Sequence, residues 1–171
     1  MFQRILGVFR LNVQTFEEIE HDQGATMQAA IIVAVVALLS GFGGGMFASM
    51  QEKSFFGGFI GAVISAFVGW LVWAVVTWFV GTKFFGGQAD IGEMLRVIGF
   101  AQAPKVLGII PCVGGVIGWV WALVAGFVAI RQGLDLDNTK TFFTIVIGFI
   151  VAVVVDLVLG FFTGGMRALF T

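Results

Sequence analysis

The stretch TFFTIVIGFIVAVVVDLVLGFFTGGM, Thr141–Met166, holds a single ionisable side chain, Asp156. It exceeds the roughly 20 apolar residues that a helix needs to cross a bilayer core. Gly148, Ala152, Asp156, Gly160 and Gly164 recur four apart, which keeps them near one face of a helix. Small residues on one face of a lipid-embedded helix let a neighbouring backbone come close. An acid within that stripe is expected to point into a packed bundle, where it must be neutralised, hydrated or paired. Asp156 is thus the first candidate functional residue.

The rest of the chain is of the same kind. Of its 171 residues 59% are hydrophobic and 11% charged, against about 25% charged in a soluble domain. The mean hydropathy is +1.05. No water-soluble fold of this size covers that much apolar surface, so the solvent is a lipid bilayer. A net charge of −1 argues against nucleic acid as a partner. Cys112 is the single cysteine, and there is one histidine and no tyrosine. No internal disulfide can form, and neither a zinc ligand set nor a nucleophile–base pair is visible. No metal, cofactor or enzymatic activity is expected. Met1–Asp22 lacks the apolar core and cleavage site of a signal peptide.

Outward from Asp156, the sequence predicts an all-α membrane protein. Residues 1–22 read as one amphipathic helix lying in the membrane interface, with Phe2, Ile5, Leu6, Phe9, Val13 and Phe16 on its apolar side. Residues 23–171 read as a bundle of five hydrophobic segments, about 25–49, 55–82, 91–110, 112–131 and 141–163. The first is expected to loosen at Gly41, Gly43, Gly44 and Gly45. The second carries Trp70 and Trp73 at depth and Trp78 near an interface. The third differs in kind. It contains Glu93, Arg96 and Lys105 and ends in Pro104 and Pro111, so it reads as a broken, kinked or re-entrant span. Asn138 or Thr139 is the expected cap of the last helix. Arg4, Arg10, Lys83, Arg131 and Lys140 fall on the N-terminal side, against Lys53, Lys105 and Arg167 opposite, which favours a cytoplasmic N-terminus.

Two further small-residue stripes accompany that of Asp156. The second segment has Gly57, Gly61, Ser65 and Gly69, and the fourth has Gly114, Gly118, Ala122 and Gly126. They predict close backbone contact among segments two, four and five; the alternative is that one stripe faces a second copy of the chain. The cations offered to Asp156 at membrane depth are Arg96 and Lys105, with Gln102, Ser65 and Thr77 as further polar partners. Glu93 and Arg96, three apart, also fit a local helix pair.

Several motifs resemble one family. TFEEIEHD at Thr15–Asp22, after RLNV, is similar to its leading helix. MLRVIGFAQAPKVLGIIPCVGGVIGWVWALVAGFVAIRQGLDLDNTKT at Met94–Thr141 is similar to its core signature, with GFAQAP, IPCVGGVIG and AIRQGLDLDNTKT its distinctive pieces. The chain resembles the bacterial and archaeal branch of the YIP family, named for proteins that interact with Ypt/Rab GTPases. The resemblance implies five membrane segments, a cytosolic N-terminus and a C-terminus on the far side, in a prokaryotic cytoplasmic membrane. It implies a fold more than an activity. The trafficking role of eukaryotic members rests on a long cytosolic arm. Here the arm is about 22 residues, with Val13 where many relatives have proline.

Two functions follow. The first is a membrane scaffold or membrane-organising protein that packs against itself or other membrane proteins. The alternative is a small transporter, channel or lipid-translocating protein, in which Asp156, Arg96, Lys105 and Gln102 line a path and Pro104 and Gly99 allow hinge motion.

Overall fold

A computed structural model describes the backbone of residues 1–110 and 113–169 and the side chains of residues 1–110 and 113–154. Among the described residues the chain forms seven α-helices, one 3-10 helix and no strand. The helices are α1 (Phe2–Phe9), α2 (Val13–His21), α3 (Ala25–Met50), α4 (Phe55–Phe85), α5 (Ile91–Ala101), α6 (Gly114–Gly133) and α7 (Asn138–Leu169). The 3-10 helix, Ala103–Ile109, lies between α5 and α6. Helices α3, α4 and α6 are long and apolar enough to cross a membrane, and Asn138–Val154 of α7 is a shorter apolar stretch.

The N-terminal segment is two helices rather than the one expected. The chain reverses after Phe9, with Leu11 in the left-handed region at φ 54°. The Asn12 side chain then caps α2 by accepting from the Gln14 amide. Val8, Phe16 and Ile19 are fully buried in the bundle's own core, while Phe2 and Val13 are exposed. The apolar side therefore covers the end of the bundle, where protein side chains replace lipid.

Helix α3 also departs from expectation. It runs unbroken through Gly41, Gly43, Gly44 and Gly45 to Met50. A methyl on Gly44 would stand 2.9 Å from the Ala62 Cβ, and one on Gly58 2.7 Å from the Gly44 carbonyl oxygen. These glycines let α3 and α4 touch backbone to backbone, and that contact outweighs their low helix propensity.

Helix α5 opens with a capping box. The Glu93 amide donates to Asp90 Oδ1 at 2.7 Å, and the Asp90 amide donates to Glu93 Oε2 at 2.7 Å. From Arg96 to Ala101 every residue is buried, because α2, α3, α4 and α6 surround it. At Gln102 the backbone tightens into the 3-10 helix. Pro104 sits in its first turn, where a missing N–H leaves no partner unsatisfied. Helix α7 begins one residue earlier than the predicted caps require: the cap is Asp137, whose Oδ1 accepts from the Lys140 amide at 2.9 Å. The loop before it contributes to the core. Leu134 and Leu136 are buried, and Leu134 packs on Gly81 of α4.

Candidate functional site

The small-residue stripes do not meet as predicted. Gly61, Gly69 and Gly126 have nothing within 4 Å of where a Cβ would stand, and Gly57 meets only Ser54 of its own turn. Ser65 is exposed. The second-segment stripe therefore faces away from close helix contact, since α4 uses its other side, through Gly58 and Ala62, to pack on α3. The fourth-segment stripe does pack, but on the 3-10 helix. A methyl on Gly118 would lie 2.6 Å from the Pro104 carbonyl oxygen, and one on Gly114 would overlap the Leu107 carbonyl oxygen. Gly148 of α7 rests on Trp73, Val76 and Thr77 of α4. Ala152 is half-buried. The surroundings of Asp156, Gly160 and Gly164 lie outside what is described, as do Pro111 and Cys112.

Where glycines face each other without touching, space remains. Ser65 and Gly69 of α4 face Ala122 and Gly126 of α6 across a half-open groove of about 440 Å³. Gln102 and Lys105 lie on its floor. The Lys105 ammonium donates to Gln102 Oε1 at 3.2 Å. Two sequence-nominated residues are thus brought together, in a cleft whose other walls are mostly aliphatic and aromatic, with Ser40 and Ser65.

Arg96 is elsewhere. Its Nε and one terminal nitrogen donate to the Glu20 carbonyl oxygen at 2.9 and 2.6 Å, and the residue is buried. The guanidinium satisfies a carbonyl in the last turn of α2, where the helix dipole favours a cation. It lines no path with Lys105, and it is not the i, i+3 partner of Glu93, whose carboxylate is taken by the Asp90 amide. Gly99 is no hinge: a methyl there would be 2.7 Å from Ala29 Cβ. Thr77 spends its hydroxyl on the Trp73 and Ala74 carbonyls of its own helix.

Residues not nominated from sequence complete the frame. Trp70 and Trp78 donate their indole N–H to the carbonyls of Leu95 and Ala89 at 3.1 and 3.0 Å, and Trp121 donates to that of Phe9 at 3.0 Å. A buried indole needs such an acceptor, but sequence periodicity does not say which distant carbonyl supplies it. Arg4 bridges the two N-terminal helices. It pairs with Glu18 and Asp22, each at 2.7 Å, and its hydrogen bond holds the Asp22 carboxyl below the usual carboxylate range.

A sequence model of the Yip1 domain matches residues 6–160. The chain belongs to the Yip1 family. The matched region of the Yip1 domain runs from α1 into α7, so it takes in both the capped end and the groove. With this membership, the apolar helices identify an integral, multi-pass membrane protein. Neither curated proteins nor solved structures gave a match.

Among the described residues of the Yip1 domain, a carboxyl in the last turn of α2 is pushed toward neutrality. Burial, reinforced by the charge of Asp135, pushes the Glu20 carboxyl up to about 7 from 4.5. Glu93 and Glu17 push the same way, and His21 opposes them. The docked state therefore binds more protons than the undocked one between those values, so docking weakens as pH rises through that window. Protection of residues 1–22 from protease is expected to be greatest near pH 4.5, where Glu20 is protonated and Asp22 still charged, and to fall as pH rises toward about 7. Glu20→Gln should flatten the profile. An unchanged profile in that variant would discard this assignment.

Proposed function

We propose that the protein is a membrane scaffold of the prokaryotic branch of its family, acting through helix packing rather than catalysis. In this reading five segments cross or enter the cytoplasmic membrane, the third being the proline-tightened one, and the N-terminus is cytoplasmic. The observation that carries it is the outer half of the α3–α4 hairpin. Gly43 and Gly61 have no neighbour within 4 Å, and Phe42, Phe47, Phe56 and Ile60 around them are exposed. In lipid, a glycine face gains van der Waals contact only when another backbone reaches it. The occupant proposed is a second copy, because the same face on two chains is self-complementary about a two-fold axis.

The test is disulfide crosslinking in native membranes, in a Cys112→Ser background. Gly61→Cys should give a linked dimer under mild oxidation. A Gly61→Ile chain should compete for that dimer roughly tenfold less well, about 1.4 kcal/mol. A chain that stays monomeric with cysteine at Gly57, Gly61 or Gly43 sinks the proposal. The transporter alternative is not adopted. Two of its parts, Arg96 and the Gly99 hinge, are committed to packing and hydrogen bonding within the chain.

A further inference from the structure

We infer that the groove between α4 and α6 is a lipid site: it holds one acyl chain of an anionic phospholipid, with the lipid's phosphate on the Lys105 ammonium. The groove lies farther along α4 than Gly57 and Gly61, and retained lipid rather than crosslinking reports on it.

Two observations carry it. The first is room. Gly69 and Gly126 face the groove with nothing within 4 Å of a Cβ, and its volume of about 440 Å³ falls in the range of small-ligand sites, roughly 300–1,000 Å³. A half-open cleft in a membrane-embedded chain is filled by its solvent, and that solvent is acyl chain. The walls agree: Val36, Trp73, Leu123, Phe127, Ile145 and Phe149 line it.

The second observation is charge. Among the described residues lining the groove, Lys105 is the one cation and no acid is present. An ammonium has three donors, and one goes to Gln102. Among the described residues the other two N–H groups meet no acceptor, so the groove should discriminate by headgroup charge as well as by chain.

The test uses the full chain, extracted from vesicles of equal parts zwitterionic phosphatidylcholine and anionic phosphatidylglycerol, with native mass spectrometry counting retained lipid. One phosphatidylglycerol per chain is expected, in preference to phosphatidylcholine. Lys105→Gln should lower its retention about tenfold, the scale of a lost charged hydrogen bond, while Lys105→Arg should preserve it. Gly126→Leu, at a position with open space, should displace lipid of either class, and Lys53→Gln should change nothing. Should Lys105→Gln fail to fold, Gly126→Leu decides the matter. Equal retention of the two lipids by the unsubstituted protein overturns the site, and so does undiminished retention in Gly126→Leu. Retention that rises severalfold in Asp156→Asn also overturns it, because the ammonium would then be neutralised from within.

Discussion

Gly118→Ala and Gly114→Ala are expected to lower the thermal unfolding midpoint of the detergent-solubilised protein by several degrees each, whereas Gly126→Ala leaves it unchanged or slightly raised. All three add one methyl to a glycine of the same apolar helix, and sequence alone does not separate them. The structure does. At Gly118 the methyl meets the Pro104 carbonyl oxygen at 2.6 Å, and at Gly114 it overlaps that of Leu107. Both obstacles are backbone, so the 3-10 helix itself must move. Overpacking of this kind costs about 1–3 kcal/mol, and each kcal/mol lowers the midpoint of a domain this size by about 2–4 °C. At Gly126 nothing lies within 4 Å, and the reduced freedom of the unfolded chain contributes up to about 1 kcal/mol in favour of the fold. Three equal shifts would mean that the 3-10 helix does not rest on α6 as described.

Arg96→Gln should release the two N-terminal helices while leaving the bundle assembled. The guanidinium fork fastens α5 to the last turn of α2 across a large sequence separation, with both donors on the Glu20 carbonyl. Hydrogen bonds from a charged donor contribute about 1.5–3 kcal/mol, so the undocked population should rise roughly 10- to 100-fold. Hydrogen exchange over residues 1–22 measures it, with residues of α4 as the unaffected reference. Arg96→Lys should not restore protection, because one ammonium cannot reproduce a planar fork. Exchange rates indistinguishable from the unsubstituted protein would remove Arg96 from this role.

These two expectations mark where the sequence was legible. Membrane solvent, helical content and the family were readable because they depend on sums over many residues: hydropathy, charge density, and motif order across Met94–Thr141. Gln102 and Lys105 were also readable, since a polar pair beside a proline in an apolar segment stands out locally. The partner of Arg96 was not. It is a backbone carbonyl, which every residue carries, so no residue type signals it. The single N-terminal helix failed for a related reason. Its apolar positions keep a helical period, but Leu11 enters the left-handed region to let Val8, Phe16 and Ile19 reach the bundle.

The glycine stripes show the same boundary most plainly. Spacing alone placed Gly57, Gly61, Ser65 and Gly69 on one face, and Gly114, Gly118, Ala122 and Gly126 on another. What stands opposite a face is a property of neighbours, and it came out differently for each. Gly114 and Gly118 received a carbonyl-lined 3-10 helix, Gly69 and Gly126 border a groove, and the tight α3–α4 contact fell to Gly44, Gly58 and Ala62. A side chain's absence is written in the sequence; whether another backbone, a lipid or a second protein fills the space is decided only when the helices are laid side by side.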